Sequence, residues 1–232
     1  MQPTTVPRIK ICCISSDVEL DIAVQAGANL VGLVSSMPSG PGVIDDALIV
    51  SLVRRVPVGV TSVLLTSRQS ADSIVAQHRL MGTGAIQIVD TLTHGTYSAI
   101  REGLPGVRIL QVIHVTGPQS VDEALAIAAH VDAILLDSGN PGATVRELGG
   151  TGRRHDWSVS RRIREQVGVP VYLAGGLNPG SAREAIEEVA PFGLDVCTGV
   201  RTNGALDRSK VEAFVRAASV ASTERDVTEY VK

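Results

Sequence analysis

Aromatic side chains are scarce in this chain, with one tryptophan, two phenylalanines and three tyrosines among 232 residues. So few rings leave little for bases to stack on, and a net charge of −3 provides no basic footprint for a phosphate backbone. Nucleic acid and anionic membranes are therefore not expected partners. No run of about 18 apolar residues occurs, and the opening MQPTTVPRIK lacks a signal-like hydrophobic region, so a cytoplasmic location is expected. Three cysteines, two of them adjacent, are too few for a disulfide framework and are read as thiols. Lysine occurs only at 10, 210 and 232. The five histidines, His78, His94, His114, His130 and His155, show no pairing at metal-ligand spacing, so no metal is expected. There is no GxSxG elbow, no Walker loop and no HExxH.

What is present is alternation. Eight β-branched or aliphatic runs fall near 8–14, 29–34, 58–65, 85–89, 107–113, 131–136, 169–173 and 193–198. Between them lie segments with helical spacing: Val18–Ala26, Asp45–Arg55, Ala71–Met81, the short Tyr97–Glu102, Val121–Ala129, Trp157–Gln166, Ser181–Val189 and Lys210–Ala218. Near-continuous apolar runs alternating with amphipathic ones predict buried parallel strands with crossover helices. Eight such units without a linker predict a single-domain (β/α)8 barrel over 1–218, with 219–232 as a helical extension or tail.

In such a barrel the chemistry belongs at the carboxyl ends of the strands. Cys12 and Cys13 end the first run, and strand alternation sends one inward and its neighbour toward the helices. Cys12 is taken as the inward thiol, sharing a face with Lys10, while Cys13 joins Ile9 and Ile11 on the outer face. A thiolate beside positive potential can serve as a base, although a buried cysteine is as readily a small hydrophobe. A Schiff-base role would fall to Lys10, which sits deeper than Cys12 and needs a buried counter-charge, for which Asp195 is the candidate. Asp137 closes AILLD, where a turn-capping role competes with that of an acid. The loop SGNPGATVRELGGTG that follows carries five glycines in fifteen residues, a length typical of lids and binding segments. AGGLNPGSA and CTGVR place Gly175, Gly176, Thr198 and Gly199 after the seventh and eighth runs, where this architecture most often holds phosphate. The basic run RRHDWSVSRRIRE is read as an exposed helix face.

The motifs KICCIS, LLDS, GGTGRRHDWS, LAGGLNP and LDVCTGV, in order and at compatible spacing, resemble the phosphoribosylanthranilate isomerase family of tryptophan biosynthesis. There the motifs run approximately KICGIT, LLDS, GGTGxxFDW, LAGGLNP and VDVSSGVE. The resemblance spans nearly the whole chain. It implies a cofactor-free Amadori rearrangement of a phosphorylated sugar-amine, with Cys12 as base, Asp137 as acid, and Gly175, Gly176, Thr198 and Gly199 holding the phosphate. Gln87, Asp195 and Arg146 are further expected to touch the substrate. The departures concern the amine. Where the family has an arginine in FxxxSPRYV, this chain has SSMPSGPGVI with Pro41 nearest that position; Asp90 replaces a glycine and Gln111 a lysine. The expectation is an intact sugar-phosphate half and an altered amine half, with Arg146 or Arg68 as substitutes for the missing charge. The alternatives are an idle phosphometabolite-binding barrel and an aldose–ketose isomerase of another sugar phosphate. Either a monomer or a homodimer fits.

Overall fold

Eight parallel strands close on themselves in chain order. The computed structural model describes residues 6–139 and 152–230. The strands are β1 (Arg8–Ile11), β2 (Leu30–Val34), β3 (Thr61–Thr66), β4 (Ala85–Ile88), β5 (Arg108–His114), β6 (Ala133–Asp137), β7 (Val171–Leu173) and β8 (Gly193–Val196), with β8 returning to pair with β1. Around them run α1 (Asp17–Gln25), α2 (Asp46–Arg55), α3 (Ala71–Met81), α4 (Tyr97–Gly103), α5 (Ser120–Ala128), α6 (Trp157–Gln166), α7 (Ala182–Val189) and α8 (Arg208–Tyr230). A 3-10 turn (Thr198–Val200) and a small hairpin, β9 (Arg201–Thr202) with β10 (Ala205–Leu206), separate β8 from α8. The (β/α)8 barrel read from the alternation is the observed fold.

Local chemistry sets the helix ends. Ser16 accepts from the backbone N–H of Glu19 at 3.2 Å, Asp45 from Leu48 at 2.7 Å and Thr96 from Ala99 at 3.1 Å, each satisfying a donor that the first turn leaves unpaired. Gly82 ends α3 at φ +68°, a conformation that costs glycine little. Strand alternation then divides the core into two layers. Ile9, Ile11, Leu33, Leu64, Ile86, Leu136, Leu173 and Leu194 fill the space between sheet and helices, whereas Leu30, Val63, Leu65, Leu110, Val112, Leu135 and Tyr172 fill the barrel. Gly32 makes room inside: a Cβ there would lie 2.8 Å from Cys12 Sγ.

The basic run behaves as expected, with α6 turning Arg161 and Arg162 outward and Val159 and Ile163 inward. Arg154, exposed just ahead of α6, pairs with Glu184 and Glu188 of α7 at 2.8 and 2.9 Å. Among the described residues no helix is long and apolar enough to cross a membrane.

Candidate active site

β1 stops at Ile11, short of the run expected from the sequence, because Cys13 turns to φ +64°. This overturns the outer-face expectation for Cys13: leaving extended geometry releases it from strand alternation, and it packs with Cys12 in the barrel cluster. The conformation is held from several sides. Arg201 donates to the Cys13 carbonyl and to both oxygens of Glu19, at 2.7 and 3.0 Å. Gly42, at φ +76°, packs so close that a Cβ there would meet Cys13 Cβ at 2.4 Å. Glu19, buried at the start of α1, also accepts from Ser15 N and Leu206 N, both at 2.9 Å. Burial alone would push its carboxyl up, but Arg201 and these backbone donors hold it below the usual range. The pattern of motifs carried no signal for this Arg201–Glu19 clasp.

Cys12, Gln87, Asp137, Gly175, Gly176, Asp195 and Thr198 line a single cleft at the carboxyl end of the barrel, with Cys13 and Cys197 beside them. Gly199 stands next to Thr198 but not on the wall; it sits where the β7 and β8 loops touch, and a Cβ there would lie 1.9 Å from the Leu177 carbonyl oxygen. Arg146 lies outside the described residues, as does most of the loop 138–152.

Beneath Cys12 lies a charge pair. Lys10 and Asp195 are register neighbours on β1 and β8, with Nζ 3.0 Å from Oδ1, and both are buried. Burial opposes the Lys10 charge, yet Asp195 and then Cys12 hold its pKa above the ordinary value. Burial pushes the Asp195 carboxyl up against the pull of Lys10. Cys12 moves the other way. The hydrogen bond from the Cys13 thiol, reinforced by the Lys10 charge, outweighs burial and lowers its pKa. Cys13, donor to Cys12 and partner to Cys197, is pushed well up. A low-pKa thiol over a buried ammonium can take a proton from carbon.

Asp137 Oδ1 accepts from Ser138 N at 2.7 Å, a local turn that fixes the carboxyl at the rim while it still borders the cleft. Its neighbour His155 is pushed down to about 4 by burial, against the opposing charges of Asp137 and Asp156, and is neutral at pH 7. His155 Nε2 lies 2.7 Å from Ser160 Oγ. Gln87 Oε1 is buried without a hydrogen-bond partner among the described residues, an acceptor free for a ligand.

Gly175 and Gly176 take consecutive positive φ values of +77° and +69°. The backbone N–H groups of Gly175, Gly176, Thr198 and Gly199 have no backbone acceptor among the described residues, as suits an anion cradle. Asn178 shapes the turn into α7 by accepting from Gly180 N at 2.9 Å and Ser181 N at 3.2 Å. Pro41 lies on the cleft wall. Two of the departures from the family motifs are not on the cleft wall. Asp90 is buried and accepts from Thr91 N at 2.8 Å, and Gln111 is bonded to Tyr97 and to the carbonyls of Asp90 and Val112; neither lines the cleft. Arg68 does not line it either. Among the described residues no group of three or more His, Cys, Asp or Glu is arranged to hold a metal.

Fold and cleft together define a (β/α)8-barrel enzyme working at the carboxyl ends of its strands. The profile of N-(5'-phosphoribosyl)anthranilate (PRA) isomerase matches residues 9–217. The chain is 36% identical over 211 residues to the N-(5'-phosphoribosyl)anthranilate isomerase of Methanothrix thermoacetophila, covering 90% of this chain and 96% of that one. It is 34% identical over 221 residues to the same-named protein of Methanosarcina acetivorans, covering 90% and 91%. The crystal structure of phosphoribosyl anthranilate isomerase from Thermotoga maritima superposes with a TM-score of 0.77 at 26% identity, covering 92% of this chain and 99% of that one. The chain belongs to the N-(5'-phosphoribosyl)anthranilate isomerase family and is an isomerase of tryptophan biosynthesis.

Proposed function

We propose that Cys12 and Asp137 are the base and the acid of this isomerisation, and that Gly175, Gly176, Thr198 and Gly199 bind the 5'-phosphate of N-(5'-phosphoribosyl)anthranilate. Asp137 protonates the ring oxygen as its bond to C1 breaks, and the nitrogen lone pair forms the C=N bond of the opened sugar. The Cys12 thiolate then takes the C2 proton, giving an enolamine that becomes the 1-amino-1-deoxyribulose phosphate by proton transfer to C1. No electrons leave the substrate, so no redox cofactor enters the scheme. Lys10 keeps Cys12 in its reactive form without touching the sugar, while Gln87 and Asp195 face the sugar side of the cleft.

The observation that carries this reading is the shared cleft: a thiol lowered toward thiolate, a carboxyl group and two glycine-rich loops border one space. The amine end is the less complete half. Pro41 stands where the family's arginine is expected, and we assign the anthranilate carboxylate to Arg146 on sequence grounds alone. We place the enzyme in the cytoplasm, as a monomer or homodimer without nucleic-acid partners.

The test is to generate phosphoribosylanthranilate in place and follow the loss of its fluorescence. Cys12→Ser and Asp137→Asn should each lower kcat by about 100-fold or more, the range expected for a lost acid or base. Near-normal turnover by either variant overturns that residue's role.

A further inference from the structure

Three thiols meet at the rim of the cleft. Cys197 Sγ donates to Cys13 Sγ at 2.7 Å, and Cys12 is the next residue along the chain. All three line the cleft, so a small solute that enters it reaches them. Cys13 and Cys197 come from opposite ends of the chain, on the loops after β1 and β8. Those two loops are already tied by Arg201, which donates to the Cys13 carbonyl and to Glu19. Little backbone motion is therefore needed to bring the two sulfurs to bonding distance, about 2 Å. Both positions depart from the motifs quoted above, where a glycine stands at 13 and a serine at 197. Neither thiol has a part in the proton transfers assigned to Cys12 and Asp137.

We propose that Cys13 and Cys197 are a reversible redox pair, closed into a disulfide by a low-molecular-weight disulfide such as oxidised glutathione and reopened by thiols. Cys197, the less buried of the two, attacks the small disulfide as thiolate, forming a mixed disulfide and expelling one thiolate. Cys13 sulfur then attacks the Cys197 sulfur, the new S–S bond forms and the second small thiolate leaves. The two protein thiols give up two electrons and two protons; the oxidant becomes two small thiols. The cross-link takes away the thiol hydrogen of Cys13, the neighbour that favours the Cys12 thiolate. On the reading of Cys12 as the base, the oxidised enzyme is thus a poorer isomerase at neutral pH.

The full chain is incubated with glutathione at graded reduced-to-oxidised ratios, then read by intact mass, by non-reducing peptide mapping and by the fluorescence assay. Wild type should lose two hydrogens, yield a Cys13–Cys197 linked peptide and fall about tenfold or more in activity at pH 7, recovering with dithiothreitol. Cys12→Ser should form the same cross-link, which separates Cys13 from its neighbour in the map. Cys197→Ser and Cys13→Gly should not form it. Each should lose activity on oxidation only in proportion to a Cys12–glutathione adduct read by mass, relative to its own reduced form; if Cys13→Gly does not fold, Cys197→Ser carries the comparison. Absence of the linked peptide at the most oxidising ratio overturns the pair, and a linked enzyme with undiminished activity overturns its effect on catalysis. Reduced Cys12→Ser with normal turnover overturns the base assignment instead, and leaves the cross-link to stand or fall on mass alone.

Discussion

Lys10 and Asp195 lie side by side across the seam between the first and last strands, 185 residues apart in the chain, with the ammonium 3.0 Å from the carboxylate. An ammonium buried this deeply is tolerated because its counter-charge is fixed by the strand register rather than by a flexible loop. The pair closes the barrel and sets the potential under Cys12.

Lys10→Met should therefore destabilise strongly. It leaves Asp195 buried and unpaired, a situation that typically costs about 3–5 kcal/mol. Lys10→Met combined with Asp195→Leu should recover most of the loss, because both charges then vanish together. Urea midpoints of the two variants and the wild type decide it. In Lys10→Met the Cys12 thiol should also alkylate with iodoacetamide only at higher pH, since the lost cation no longer favours thiolate.

His155 makes an acid-limb prediction. Its folded value of about 4 lies below the roughly 6.5 of an unfolded histidine, so the unfolded chain takes the proton first as pH falls. Stability from this group is whole above pH 6.5 and is lost progressively as pH falls through about 4, by about 3 kcal/mol in all. His155→Phe, the residue of the family motif, should flatten the unfolding free energy over that window. An unchanged slope there would show that His155 is not held neutral.

Gly199→Ala should separate phosphate binding from chemistry. The added methyl meets the Leu177 carbonyl at 1.9 Å, and a backbone carbonyl cannot move aside as a flexible side chain could. Overpacking of this kind costs about 1–3 kcal/mol and should spread the two loops. The expected result is a KM raised about tenfold or more with a smaller change in kcat, because the phosphate is held alike in ground and transition states. A fall in kcat at constant KM would remove Gly199 from the phosphate site.

Pro41→Arg tests the amine end. A guanidinium on the cleft wall can meet the anthranilate carboxylate through two parallel N–H donors, and a desolvated contact of this type contributes about 2–5 kcal/mol. KM for phosphoribosylanthranilate should fall, with kcat nearly constant. A KM that stays the same or rises means the carboxylate is met by another part of the chain.

Particular elements show how far the sequence could be read. The bounds of α3 and α6 coincide with the expected segments, because Ser70, Gly82 and Asp156 punctuate an amphipathic pattern where it begins or ends. α4 is short and still legible from Thr96, whose hydroxyl caps it. The expected run 8–14 failed at its end: the glycine of the family motif at position 13 was the signal for a left-handed residue, and strand alternation was read instead. That conformation is imposed by Arg201 from the far end of the chain and by the close approach of Gly42. Likewise Gln111 departs from the motif at a position that the outer face of the sheet claims, bonded to Tyr97 and to backbone carbonyls.

Period and punctuation along the chain determined the alternation of strand and helix, hence the closed barrel, and the order of the motifs determined the family. These are local properties: a residue's neighbours within a few positions decide whether its side chain faces a core. Only the tertiary structure decided that Cys13 turns inward to meet Cys197 and that Arg201 clasps Glu19, and it brought Lys10 to the counter-charge expected of it, Asp195. Each of these contacts joins segments more than 180 residues apart, and such distances become bonds only when the eighth strand returns to the first.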